Sequence, residues 1–189
     1  MGSQAVALKE WASVIQALKE GRQALIMRKG GIAEETRQFE LAYPRFYLFP
    51  TYEHQKKHLM KEAYQHLVET STPSSLTIDC VAVAEQEFLI DEEDKLEALM
   101  DLHIWTEAFA AERLRWKKKQ PLHLIPLRIY RLPEAHSLSM EPEYEGCKSW
   151  IEVPLPALSD DILEQSSPVL NETAYEDLLG TLRERLSDR

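Results

Sequence analysis

The segment that most constrains this chain is residues 103–132, where HIWTEAFAAERLRWKKK runs straight into PLHLIPLRIYRL. The first half sets aromatic and basic side chains at helical spacing, and the second half reads as a strand. In that strand Ile125, Leu127 and Ile129 take one face while Arg128 and Tyr130 take the other. Pro126 marks an edge position or a bulge, because proline cannot donate to the ladder.

The same segment is electrostatically out of place. The chain has 189 residues and a formal net charge of −10, yet residues 111–133 hold seven Lys/Arg against one acid. Residues 67–110 hold one base and eleven acids, and residues 134–189 four bases and thirteen acids. A basic island in so acidic a chain implies an anionic ligand, while the acidic segments form solvated faces or repel wrong partners. With 44% hydrophobic and 29% charged residues the composition is that of a globular protein, not a disordered one. No apolar run approaches the ~20 residues of a membrane helix, so no membrane partner is expected. The N-terminus passes directly into an amphipathic stretch with Lys9 and Glu10, leaving no signal-peptide core. MGSQAV has valine where a myristoylation start needs Ser or Thr. Cys80 and Cys147 lie far apart without zinc spacing, and a reducing cytoplasm is the expected home.

Along the chain, Leu8, Trp11, Ile15 and Leu18 form one stripe of a predicted helix ending at Gly21. RQALIMR follows as a short strand, then Lys29-Gly30-Gly31 as a break. Phe46 to Phe49 predicts a buried strand stopped by Pro50, and Thr51 an N-cap for a helix running to about Val68. Leu76 to Leu89 reads as a strand, Asp91 to Met100 as a short helix, His103 to Trp116 as a helix and Leu122 to Leu132 as a strand. The turn around Gly146 precedes a last short strand, IEV. The domain division expected is one α+β domain over 1–153, a proline-containing linker over 154–171 and an amphipathic helix over 172–189. In that tail Tyr175, Leu178, Leu179, Leu182 and Leu186 share a face that packs back on the domain, or else serves a partner or self-association through 173–186.

For chemistry, cations for phosphates and flat rings for an unstacked base are the needs of a nucleic-acid surface. Arg113, Arg115, Lys117, Lys118 and Lys119 supply the first; Trp105, Trp116, Tyr130 and Trp150 the second. Arg28, Lys29, Arg45, Arg128 and Lys148 extend the cationic surface, and Thr51, His54, Gln55 and Ser149 offer hydrogen bonds to a base. The plainer reading is that Trp105 and Phe109, one turn apart, are core and the lysines a solvated helix end. Arg28-Lys29-Gly30-Gly31 is likewise either a tight turn or a small anion-binding turn. No GxxxxGK[ST] is present. The helix after FYLFPTY offers only Glu53 and Glu62, too few carboxylates for a Nudix-type magnesium site. His54, His58, Glu62 and His66 at i+4 steps span three turns and cannot close around one ion, so no metal is expected. Asp79 with Glu93-Asp94-Lys95 matches a metal-dependent nuclease only loosely. Ser149 and Cys147 lack a base-and-orienter pairing for covalent catalysis.

Four runs in order (ALKEW with GRQALIMRKGGI; RFYLFPTYEHQ; HIWTEAFAAERLRWKKKQPLHLIPLRIYRLP; YEGCKSWIEV) resemble one uncharacterised bacterial family, domain of unknown function 1802, over about Ala7 to Val153. The resemblance implies a link to nucleic acid, since members occur near or fused to restriction-endonuclease-like domains, and it carries no catalytic residues across. A fainter similarity, strongest in VAVAEQEFLIDEE and LRWKKKQPLHLIPLRIYRLPEAHSL, is to PUA-like domains of the ASCH and EVE types. These bind RNA or modified bases. The chain departs from them in showing no strand before its first helix. The expected fold is therefore α+β, a small mixed or antiparallel PUA-like barrel flanked by helices with a C-terminal helical tail. The expected function is a non-enzymatic nucleic-acid-binding module reading RNA or a modified base, linked to restriction-type defence, without cofactor. A protein-interaction or assembly factor acting through the acidic faces and the C-terminal helix is the second expectation, and a metal-dependent phosphodiesterase the third.

Overall fold

Where the sequence predicts an opening helix, the chain first forms a strand. A computed structural model describes residues 5–29, 41–69, 71–116, 120–146 and 148–187. In it β1 spans Ala5–Trp11 and only then does α1, Ala12–Lys19, begin. Leu8 and Trp11 thus belong to strand and junction, while Val14, Ile15, Ala17 and Leu18 are the buried face of α1. The helix stops as predicted at Gly21, whose φ of 69° suits glycine. Gly21 N–H donates to the Leu18 carbonyl and Arg22 N–H to that of Ala17, the paired bonds of a Schellman end.

The remaining elements are β2 (Leu25–Arg28), β3 (Arg45–Thr51), β4 (Ser75–Val83), β5 (Phe88–Ile90), α2 (Glu93–Glu97), α3 (Glu107–Arg115), β6 (Leu122–Pro126), β7 (Arg128–Ser139), β8 (Trp150–Val153), α4 (Asp160–Gln165), β9 (Ser167–Pro168) and α5 (Glu172–Leu186). They make a six-stranded sheet in the order β8-β1-β3-β4-β7-β9 and a three-stranded sheet in the order β2-β6-β5. The α+β class is as expected from the sequence. Among the described residues the sheets stay separate and do not close into one barrel.

Two further predicted strands are each divided between sheets. The run from Leu122 pairs with β2 and β5 as far as Pro126, then continues as β7 against β4 in the larger sheet. Pro126 stands at the last rung, where its missing N–H matters least. Likewise the predicted strand from Leu76 to Leu89 is β4 in one sheet and β5 in the other. β3 runs through Pro50 to Thr51 instead of stopping. The segment after it is two 3₁₀ turns, Lys57–Leu59 and Glu62–Leu67, not one α-helix. Met60 bridges to Trp105 there, and Lys61 N–H donates to the Ile104 carbonyl, so tertiary pairing overrides the helical pattern. The i+4 stripe of His54, His58, Glu62 and His66 accordingly does not form.

Both faces of the large sheet are buried. Leu8, Phe46, Leu48, Cys80 and Ala82 face a core shared with α1, the small sheet and α5, while Ala7, Tyr47, Phe49, Ile78 and Val81 face a second core with Tyr144 and Leu155. In α5, Tyr175, Leu179 and Leu182 are buried, so this part of the apolar stripe packs on the rest of the chain. Asn171 caps this helix through Ala174 N–H, and Arg185 pins its end to Asp101 at 2.5 Å. No helix among the described residues is long and apolar enough to cross a membrane.

Candidate nucleic-acid interface

β1 and β3 are parallel, with Trp11 opposite Thr51, so both strands end at the same side of the sheet. There they meet the end of β2, the helix α3 and the loop before β8. The ends enclose a cleft of about 370 Å³ lined by Lys9, Glu10, Trp11, Met27, Arg28, Lys29, Thr51, Glu53, His54, Trp105, Phe109, Arg113, Trp116, Gly146, Lys148 and Ser149. A smaller cavity of about 40 Å³ adjoins it, sharing Lys9, Thr51, Glu53 and Gly146.

The walls are held by specific bonds. Lys9 Nζ donates to the carbonyls of Tyr144 (2.6 Å) and Gly146 (2.7 Å), tying the loop to β1. Arg28 Nη2 donates to Ser149 Oγ at 2.6 Å, and Nη1 lies 3.4 Å from Glu10 Oε2. Thr106 caps α3 through Phe109 N–H, which fixes the phase of that helix so that Phe109 and Arg113, one turn apart, both reach the cleft. Phe109 stacks on Trp11 with centroids 5.4 Å apart and 25° between planes, and the Arg113 guanidinium lies 5.9 Å from the Phe109 centroid. Trp116, 39% exposed, stands at the rim.

Five cations and two carboxylates line this cleft, the reverse of the chain's overall balance. Lys29 is only 2% exposed, and its ammonium donates to the Leu114 carbonyl, with no carboxylate among the described residues in ion-pair reach. Arg113 and Lys148 also lack such a partner among those residues. Burial, and then the nearby Arg113, hold the Lys29 ammonium below its ordinary pKa. Burial and then Arg28 do the same for Arg113, against the opposing pull of Glu10 and Glu112. Unpaired like charges held this close are unfavourable while the cleft is empty, and an anion between them offsets the repulsion.

Of the residues picked out by sequence, Arg28, Lys29, Thr51, His54, Trp105, Arg113, Trp116, Lys148 and Ser149 come together here. The others do not line the cleft. Gln55 is buried, accepting from Ser13 N–H and donating to the Glu69 carbonyl. Arg45 pairs with Asp160 at 2.5 Å and Arg115 with Glu93 at 2.7 Å. Arg128 is bonded to Glu172 and lies 4.2 Å from the Tyr175 ring centroid. Tyr130 packs on the second core, and Trp150 packs edge-on against Tyr43 and Phe46. Lys117, Lys118, Lys119, Gly30, Gly31 and Cys147 lie outside the described residues. Asp79 pairs with Lys19 and Lys95 with Asp91, far from a shared nuclease site. Sequence reasoning missed Lys9, Glu10, Trp11, Met27, Glu53 and Gly146, and offered Phe109 only in its plainer reading, as core; it packs against the first core and lines the cleft as well. A signal available was that two strand-forming runs, AVALKE and ALIMR, each end in charge.

Residues 7–180 match the family model described as Domain of unknown function (DUF1802), a span that includes α4 and more than half of α5. Comparison with curated proteins gives no match. Among solved structures, a serine-to-alanine mutant of the ASCH protein ZmASCH from Zymomonas mobilis aligns over 93% of this chain and 94% of its own. It has a TM-score of 0.46 and 8% identity. At that likeness the functional reading rests on the cleft alone.

Proposed function

The chain belongs to the family DUF1802, and from its cleft we propose that it is a nucleic-acid-binding module accepting one unstacked nucleotide unit of a strand. The observation that carries this reading is Lys29, buried near Arg113, neither with a carboxylate in ion-pair reach among the described residues, in an open cleft walled by aromatic rings. Phosphates of the strand, on either side of that unit, meet Lys29, Arg113 and Lys148 in three separate contacts. The base lies against the wall made by Trp11, Phe109 and Trp116, since aromatic stacking accepts any base face. A cavity of about 370 Å³ suits one such unit and not a duplex.

The test is anisotropy of labelled single-stranded DNA and RNA oligonucleotides with the parent, Arg113→Gln and Arg115→Gln. The parent binds, Arg113→Gln weakens binding about 10-fold through loss of one charge-assisted contact, and Arg115→Gln, already paired outside the cleft, leaves it unchanged. Absence of binding by the folded parent, or equal losses in both variants, overturns the proposal.

A further inference from the structure

Phosphate and ring face account for the cations and the aromatic wall, but not for a carboxylate set among them. We infer that Glu10 reads the edge of the bound base and selects bases that carry an exocyclic amino group, as cytosine does, over uracil or thymine. This rests on the nucleic-acid reading of the same cleft.

Glu10 and Glu53 both line the cleft, but they differ in kind. The Glu53 side chain is 72% exposed at the rim, whereas that of Glu10 is 8% exposed. Glu10 is also fixed in place. Its Oε1 accepts from Trp11 N–H at 2.8 Å, its Oε2 faces Arg28 at 3.4 Å, and its carbonyl accepts from Thr51 Oγ1 at 3.1 Å. Arg28 is in turn anchored on Ser149 at 2.6 Å. Such a carboxylate does not reorganise to suit a ligand; the ligand has to suit it.

A carboxylate accepts and cannot donate, and its two oxygens offer about four lone-pair directions. One good bond and one long one leave acceptor capacity on a side chain that water scarcely reaches. Trp11, which stacks on Phe109, lines the same cleft as Glu10, so the acceptor and the aromatic wall share one space. A base lying on that wall brings its hydrogen-bonding edge to Glu10. The amino group of cytosine or adenine donates to it, as acidic side chains do to the cytosine N4 amine. Uracil and thymine put a keto oxygen in that place, and their single ring N–H sits between two keto oxygens that a carboxylate repels. A site built around one buried acceptor therefore rejects the keto base, because mating the two leaves both acceptors unpaired.

Cytosine and uracil differ in amino against keto at one ring position and in the protonation of the ring nitrogen beside it, so oligo(dC) and oligo(dU) are the probes. N4,N4-dimethylcytosine, which has no amino N–H, is the third. The parent binds oligo(dC) at least about 10-fold more tightly than either of the other two. Glu10→Gln keeps a carbonyl for Trp11 N–H but presents an amide where the second carboxylate oxygen stood, and it narrows the gap to within about 3-fold. Equal affinity of the parent for oligo(dC) and oligo(dU), or a gap that Glu10→Gln leaves intact, overturns the inference while the nucleic-acid reading stands. Absence of binding to all three overturns both. If Glu10→Gln does not fold, as read by its thermal melt, the three-probe comparison on the parent decides alone.

Discussion

Salt dependence gives the most quantitative test of the cleft's charge. Lys29, Arg113 and Lys148 are cleft cations without a carboxylate in ion-pair reach among the described residues. Each therefore releases a counterion's worth of charge when a phosphate arrives, while a cation already paired brings its neutralising partner along. For a single strand log affinity falls by about 0.7 per contact per decade of salt, so three contacts give a slope of about −2. Binding then weakens about 20-fold between roughly 50 and 200 mM salt. Arg113→Gln removes one contact, taking the slope to about −1.4 and the loss over the same range to about 7-fold. Arg115→Gln, which deletes a guanidinium bonded to Glu93 at 2.7 Å, leaves the slope at the parent value. The assay is an anisotropy titration of labelled oligo(dC) at several salt concentrations. A parent slope near zero shows that phosphate is not what the cleft cations meet. A slope lowered equally by both arginine variants shows that ion pairing in the free protein does not sort them, and the charge argument fails.

Three other consequences concern the scaffold. His103 is buried with neither ring nitrogen bonded, and burial, aided by Lys61, pushes its pKa down to about 4 from its ordinary 6.5. The depressed pKa favours the neutral ring, so stability is full above pH 6.5 and falls as pH drops through 4, by about 3 kcal/mol. Urea melts should show this loss in the parent, and a flatter acid limb in His103→Leu; equal acid limbs would exclude His103 as the cause. Leu182 on α5 is fully buried in the first core, and Leu182→Ala should lower stability by about 2–5 kcal/mol in the same assay. A loss under ~1 kcal/mol would mean that α5 is not integral to that core. Burial pushes the Cys80 thiol up to about 12, so mass mapping after alkylation at pH 8 should find Cys80 unmodified until denaturant is added.

What the sequence made legible, and what it hid, follows from the range of the interactions that decide each feature. The end of α1 is local: Gly21 and two bonds reaching back three and five residues, and the pattern identifies it. β1 is different, since it lies between β8 and β3 with both faces covered, and a strand buried on both sides loses the alternation that marks it. Leu8 and Trp11 then fall by chance into the helical stripe of Ile15 and Leu18. Division of the 122–132 run between two sheets is likewise decided by partners, Leu25 opposite Pro126 and Val83 opposite Arg128, and no local signal marks the switch. The candidate site obeys the same rule. Composition finds the basic run, but whether a cation is available to a ligand depends on carboxylates 22, 44 or 115 residues away for Arg115, Arg128 and Arg45. Arg113 and Arg115 make the point within one helix. Two residues apart, they project about 200° from one another; one faces the aromatic cleft and the other faces Glu93. A count of charge treats them alike, and helical phase makes one a cleft-lining cation and the other a surface ion pair.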